Sequence, residues 1–223
     1  APAVFAAAHH VIKHYGDALL LVMPSDHHIP DQDAFAKMVL AGCAAASEGA
    51  IVTFGVAPDR PETGYGYIEL GDPSSAYEST VKKFHEKPER KTAQKMIDAG
   101  NYVWNAGIFL FQASVMLANA KKFEPKMLAG VQAAVDNARE DKNFWHINDE
   151  NWMQIEGQSL DYAILEKIEH ISCVKFSGSW SDLGDWNAVA GQLPHDDNGN
   201  FVDGTSSQID CDNTTLWSVA NGT

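Results

Sequence analysis

The sequence predicts an α/β fold in which helices cover a mixed, mostly parallel sheet, and three observations carry that reading. A continuously apolar run, Ala18–Met23, is followed by a helical stretch reaching about Ser47 and then by a second apolar, β-branched run, Ala50–Val56. Strand, helix, strand at this spacing is a crossover unit, which joins parallel strands. Glycine-punctuated strands then alternate with further helices, and with 223 residues, 45% of them hydrophobic, the chain can bury one well-packed domain and the start of a second.

Element by element, Ala3–Tyr15 reads as a helix and Ala18–Met23 as a strand buried on both faces. Asp31 or Asp33 caps the next helix, and Gly49 stops it. Past Pro58 come strands over Gly64–Leu70 and Thr80–Glu86, a helix over Glu89–Ala99 and an aromatic strand over Tyr102–Phe111. Helices over Ala113–Lys122 and Pro125–Arg139 follow, the interval Asp141–Gly157 carries no clear period, and Tyr162–Ile168 reads as a helix before the strand Ile171–Phe176. A tryptophan-bracketed turn leads into a helix within Trp180–Ala190. From about Pro194 the texture turns rich in Asp, Asn, Gly and Thr, which sets a boundary between 1–193 and a β element over 194–223.

The formal charge of −14 opposes nucleic-acid binding, which depends on basic side chains neutralising phosphates. A phosphate ligand would therefore need a local metal ion or a few placed lysines. The longest apolar run, Ala18–Met23, is far short of the roughly 20 residues of a membrane helix, so no membrane partner is expected. No charged region precedes the apolar opening, and the odd cysteines Cys43, Cys173 and Cys211 lack metal-ligand spacing, so a cytoplasmic protein with free thiols is expected.

Asp26 directly follows a buried strand, where ligands bind in open α/β sheets and where a carboxylate can hold magnesium. Asp182 lies in the polar turn Trp180-Ser181-Asp182-Leu183-Gly184-Asp185-Trp186 after another strand. If those strands run parallel, both carboxylates arrive at one sheet edge; turn or helix capping is the competing role for each. Lys87 and Glu86 stand where Pro88 ends a strand, one able to reach a phosphate and the other sugar hydroxyls. Gly64-Tyr65-Gly66-Tyr67 offers open backbone beside aromatic rings, or only a bulge. Asn105, before Ala106 and Gly107, puts an amide inside an apolar strand where its donors and acceptors need partners. Asp161 opens a helix as its cap or as a hydroxyl-orienting group. His10 and His14, and the pair His27-His28, suggest zinc, but a hydrolytic zinc site takes three convergent ligands and no third appears at helical spacing.

Taken in order, Pro24-Ser25-Asp26-His27, Gly64-Tyr65-Gly66-Tyr67, Phe84-His85-Glu86-Lys87-Pro88, Trp104-Asn105-Ala106-Gly107, Ser159-Leu160-Asp161-Tyr162 and Trp180 to Trp186 resemble the motifs of bacterial mannose-1-phosphate guanylyltransferases. Each string alone is weak, but six in sequence are specific. The resemblance implies a Rossmann-like, GT-A-like nucleotidyltransferase sandwich followed by the start of a β-helix, making GDP-mannose and pyrophosphate from GTP and mannose 1-phosphate with Mg2+. It implies Asp26 and Asp182 as metal ligands, Lys87 as the sugar-phosphate contact, and Glu86, Asn105, Gly107, Asp161 and the Gly64–Tyr67 backbone on the mannose side. Ser25 and Ala106 stand where alanine and serine are commoner.

Relatives of that family begin with a strand and a glycine-rich loop whose arginine and lysine grip the triphosphate, and these residues contain no such loop. The expectation is an N-terminally truncated domain without synthetic activity of its own, with exposed sheet edge favouring a homo-oligomer. A uridylyl- or thymidylyltransferase acting on glucose 1-phosphate, and a non-catalytic regulator keeping the sugar half of the fold, are the alternative readings.

Overall fold

The computed structural model describes residues 1–204 and 208–217. Contacts divide the chain into two compact units, Ala1–Ser25 with Pro30–Ser179, and Asp26–Ile29 with Trp180–Thr223.

The first unit opens with α1 (Pro2–Tyr15), whose Pro2 occupies the helix start where a missing N–H costs nothing. After β1 (Leu19–Val22), α2 (Gln32–Ser47) begins on Asp31, whose carboxylate accepts from the Ala34 N–H at 2.9 Å. Then come β2 (Ile51–Val56), β3 (Tyr67–Pro73), β4 (Glu78–His85), α3 (Arg90–Ala99), the long β5 (Tyr102–Gln112), α4 (Ala113–Phe123) and α5 (Pro125–Asp136). The stretch without a clear period holds a hairpin, β6 (Arg139–Asp141) and β7 (Phe144–His146), and a short α6 (Asp149–Trp152). Capped by Ser159, α7 (Leu160–Ala163) passes into a 3-10 turn over Leu165–Lys167 ahead of β8 (Ile171–Phe176). The helix expected over Tyr162–Ile168 thus starts earlier and tightens midway.

One six-stranded sheet runs in the order β1-β5-β2-β8-β4-β3, and β3 also pairs with β5. It is mixed as expected, but the expectation of a mostly parallel sheet needs correction. Among the described residues β2 with β8 is its one parallel pairing, and β1/β5, β2/β5, β4/β8, β3/β4 and β3/β5 are antiparallel. The reason is an insertion: β1 and β2 do run the same way across their helical crossover, but β5 lies between them antiparallel to both. The strand β1 is also less buried than its apolar run suggests, with Leu19 and Leu21 37% and 38% exposed, since among the described residues only β5 pairs with it.

Side chains of α1, α4 and α5, among them Phe5, Met116 and Val131, pack with Ile51, Phe109 and Phe111 of the sheet into one core. Burying each such side chain contributes about 1.5–3 kcal/mol. On the opposite face α2 sits close, with Gly42 against Val52, Phe54 and Leu110. Thr53 alternates with those last residues and so shares the face of Ile51. That puts one hydroxyl on the face of the main core.

The second unit joins its two segments by one antiparallel bridge, His28 to Ser181. It continues through α8 (Trp186–Ala190), capped by Asp185, to β9 (Phe201–Asp203) and β10 (Thr215–Trp217), which pair parallel. Buried Asn200 ties these coils, donating to the Cys211 carbonyl and accepting from the Thr214 N–H, each at 2.8 Å. Residues 205–207 and 218–223 of the expected β element lie outside the described residues. Among the described residues no helix is long and apolar enough to cross a membrane.

Candidate active site

In the second unit the bridge is made by His28 N–H to the Ser181 carbonyl at 2.8 Å and Ser181 N–H to the His28 carbonyl at 3.1 Å. In antiparallel register His27 lies opposite Asp182, and Asp26 one step beyond. Two carboxylates distant in sequence therefore share one bridge, and both act on the His27 ring. Burial nevertheless holds the His27 pKa below the usual imidazole value, with Asp26 and Asp182 opposing that shift. Its Nδ1 accepts from the Trp180 indole N–H at 3.2 Å, which fixes the ring.

Asp182 shapes its own turn. Its Oδ1 accepts from the Gly184 N–H at 3.1 Å, and a Cβ on Gly184 would come within 2.8 Å of Oδ2, so any larger residue displaces the carboxylate. Between them Leu183 adopts φ 50°, a left-handed conformation that costs a branched side chain energy and persists where surroundings enforce it. Among the described residues no group of three or more His, Cys, Asp or Glu could hold a metal ion. An ion here would rest on two carboxylates plus substrate oxygens, and that fits magnesium, which keeps several waters and takes few protein ligands. It does not fit a closed zinc site.

The first unit assembles the remaining candidates around Asn105. Its Oδ1 accepts from the Thr53 hydroxyl at 2.9 Å and the Gly107 N–H at 3.2 Å, its Nδ2 donates to Asp161 Oδ1 at 3.2 Å, and its backbone N–H donates to the Gly66 carbonyl at 2.8 Å. A register shift between β2 and β5 aims it there: Thr53 pairs with Phe109 but Gly55 with Asn105, and Gly107 in the extra segment has φ 70°. The shift is two residues, so Asn105 keeps the face of Thr53 and is drawn closer to it along the strand.

Glu86 belongs to the same cluster, since a Cβ on Gly66 would meet Glu86 Oε2 and Phe84 Cζ at 2.9 Å each. Burial raises the Glu86 pKa, and the Asp161 charge raises it further. Burial likewise raises that of Asp161. Lys87 Nζ stands 3.7 Å from Glu86 Oε1, its side chain 61% exposed, on a backbone with φ 44°. Strain of that kind just before Pro88 marks a residue held in place by its surroundings.

Gly64 and Tyr65 precede β3 instead of starting it. The Gly64 N–H donates to Glu62 Oε1 at 3.1 Å, and the Tyr65 ring meets Trp104 edge-on at 5.1 Å. Arg60 lies over the other partner of that contact, 5.1 Å from the Trp104 ring, whose buried Nε1 has no hydrogen-bond partner among the described residues. A cleft of about 620 Å3 includes Glu86, Pro88 and Glu166, whereas a larger one of about 730 Å3 near Arg139 and Trp152 holds no candidate residue. The hydrogen-bonded cluster is the better guide, because catalytic function follows converging polar groups, not volume.

Sequence reasoning missed Thr53, Arg60 and the His27–Trp180 pair. Thr53 had a signal, a single hydroxyl inside the apolar run Ile51–Val56; the other two had none, because their partners come from distant segments.

Residues 1–197 match the nucleotidyl transferase family. The chain belongs to that family. It is 40% identical over 217 residues to xanthan biosynthesis protein XanB of Xanthomonas campestris pv. campestris (strain B100), covering 97% of this chain and 46% of that protein. With the mannose-1-phosphate guanylyltransferase of Sinorhizobium fredii (strain NBRC 101917 / NGR234) it shares 40% identity, covering 98% of this chain and 43% of the relative. A Thermus thermophilus structure described as a mannose-1-phosphate geranyltransferase superposes with TM-score 0.78 at 31% identity, over 89% of this chain and 56% of that one. A Helicobacter pylori structure described as a mannose-6-phosphate isomerase gives TM-score 0.72 at 31% identity, over 81% and 70%. The chain spans less than half the length of these curated relatives.

Proposed function

We propose that the protein containing this chain is a mannose-1-phosphate guanylyltransferase, joining GTP and mannose 1-phosphate to give GDP-mannose and pyrophosphate with Mg2+. The supporting observation is the single bridge, His28 to Ser181, that Asp26 and Asp182 flank. Relatives of that printed name at 36–40% identity over most of this chain agree with it and favour it over uridylyl or thymidylyl transfer.

In this reading a mannose 1-phosphate oxygen attacks the α-phosphorus of GTP in line, and pyrophosphate leaves. The nucleophile needs no base, because a phosphate monoester with second pKa of about 6 is already mostly dianionic at neutral pH. Positioning and charge neutralisation then supply the catalysis. Asp26 and Asp182 hold the metal, which when bound offsets phosphate charge. Lys87 contacts the sugar phosphate through its exposed ammonium. Glu86, Asn105 and Asp161 orient mannose hydroxyls, while Gly64, Tyr65, Gly66 and Gly107 supply backbone and close approach.

The nucleotidyltransferase domain spans 1–193 and a β-helix-like element begins over 194–223, a division supported by the family match to residue 197 and the parallel β9/β10 pair. A cytoplasmic homo-oligomer is part of the same reading. Nucleotide-sugar synthesis by the full-length protein, offered GTP, UTP or dTTP with mannose 1-phosphate or glucose 1-phosphate, tests the proposal. Preference for GTP with mannose 1-phosphate, lost in Asp182→Ala, is the expected result; equal turnover with UTP and glucose 1-phosphate overturns it.

A further inference from the structure

Helix α1 carries His10 and His14 one turn apart, a spacing that stacks side chains on one face. Their ring centroids are 4.5 Å apart with planes tilted by 38°. Two imidazole nitrogens bound to one ion at about 2.0–2.1 Å each lie about 3 Å from one another, a separation that rings this close can reach by small rotations.

Neither ring is held by a hydrogen bond among the described residues. Adjacent groups, by contrast, are committed: His9 Nε2 and Lys13 Nζ both contact Asp136 Oδ1, at 3.1 and 2.8 Å. The Trp145 indole on β7 packs against both histidine rings, 5.1 Å from His10 and 4.4 Å from His14. That contact restricts their rotamers before any ion arrives, which lowers the ordering cost of binding. Beside His10 lies an open apolar cavity of about 400 Å3, lined also by Val11, Trp145 and Trp152, while His14 is exposed.

We propose that His10 and His14 form a two-imidazole site for a borderline divalent transition-metal ion, Cu2+, Ni2+ or Zn2+, distinct from the magnesium carboxylates. Neutral imidazole selects these ions over magnesium, which prefers oxygen ligands. Water completes the coordination, and the site is structural: the ion cross-links successive turns of α1 beside the β6–β7 hairpin.

Ni2+ is the probe, added to untagged protein in excess Mg2+ so that the carboxylates are occupied. Calorimetry is expected to show one saturable Ni2+ equivalent, with quenching of the adjacent Trp145 fluorescence. His10→Gln and His14→Gln each weaken binding at least about tenfold while circular dichroism is unchanged, since a bidentate site loses half its ligands. Trp145→Phe removes the quenching but keeps the binding heat, and His146→Gln on the same hairpin changes neither. Absence of saturable binding, or equal affinity in His14→Gln, overturns the proposal.

Discussion

The carboxylate bridge of the second unit and the Asn105 cluster of the first solve opposite electrostatic problems. At the bridge two acids stay within reach of solvent: Asp26 is exposed, Asp182 half-buried, and a backbone pair and a tight turn position them. In the Asn105 cluster, burial raises the pKa of both acids and the Asn105 amide is shared among Thr53, Gly107 and Asp161. The first arrangement suits a cation, which solvated carboxylates attract. The second suits hydroxyls, because burial disfavours the charge on both acids while their oxygens remain able to hydrogen-bond.

This contrast can be broken most severely at Asp182. In the full-length protein Asp182→Ala should lower Mg2+-dependent kcat by about a thousandfold, equivalent to about 4 kcal/mol. Its melting temperature should hardly move, because the turn is a surface feature, and steady-state kinetics beside calorimetric melting tests both halves.

Asn105→Ala should divide differently. Leaving the Thr53 hydroxyl and Asp161 without their partner should cost about 1–3 kcal/mol of stability in urea titration and raise the KM for mannose 1-phosphate. Unchanged stability would mean that the cluster is looser than its hydrogen bonds imply.

Gly66→Ala sharpens the same region by crowding it. The added methyl would lie 2.9 Å from Glu86 Oε2 and Phe84 Cζ, and about 1–2 kcal/mol of destabilisation should follow. Equilibrium unfolding detects that loss, and a rise in KM larger than that of a remote core variant would tie it to the Glu86 carboxylate.

The smallest effect concerns pH. Because burial raises the folded-state pKa of Asp161, folding favours its protonated form; the stability it contributes is complete below the ordinary carboxylate range and is lost as pH rises through the raised folded value. Asp161→Asn keeps an acceptor for Asn105 and cannot ionise. Relative to the parent it should melt higher at about pH 7 than at about pH 3, and an identical difference at both pH values would contradict the burial argument.

Much of the local structure was legible before any coordinates. Asp31 caps its helix as expected because a short polar side chain meets a free N–H three residues on, whereas the caps expected at Asp161 and Asp182 fall to Ser159 and Asp185, which sit that same distance before the free N–H groups of Tyr162 and Ala188. What escaped was pairing: β5 enters between β1 and β2, and a two-residue register shift draws Asn105 towards Thr53, because cross-strand hydrogen bonds link residues that no local pattern connects.

The sequence by itself therefore determined the alternation of strands and helices, the excess of acid, and which polar residue types stand in each motif. Tertiary structure alone decided that Asp26 meets the bridge of Asp182, that Thr53 anchors Asn105, and that the sheet is mainly antiparallel. Local preference acts over a turn or a strand, whereas these contacts are selected only when the whole core closes and each buried polar group must find a partner.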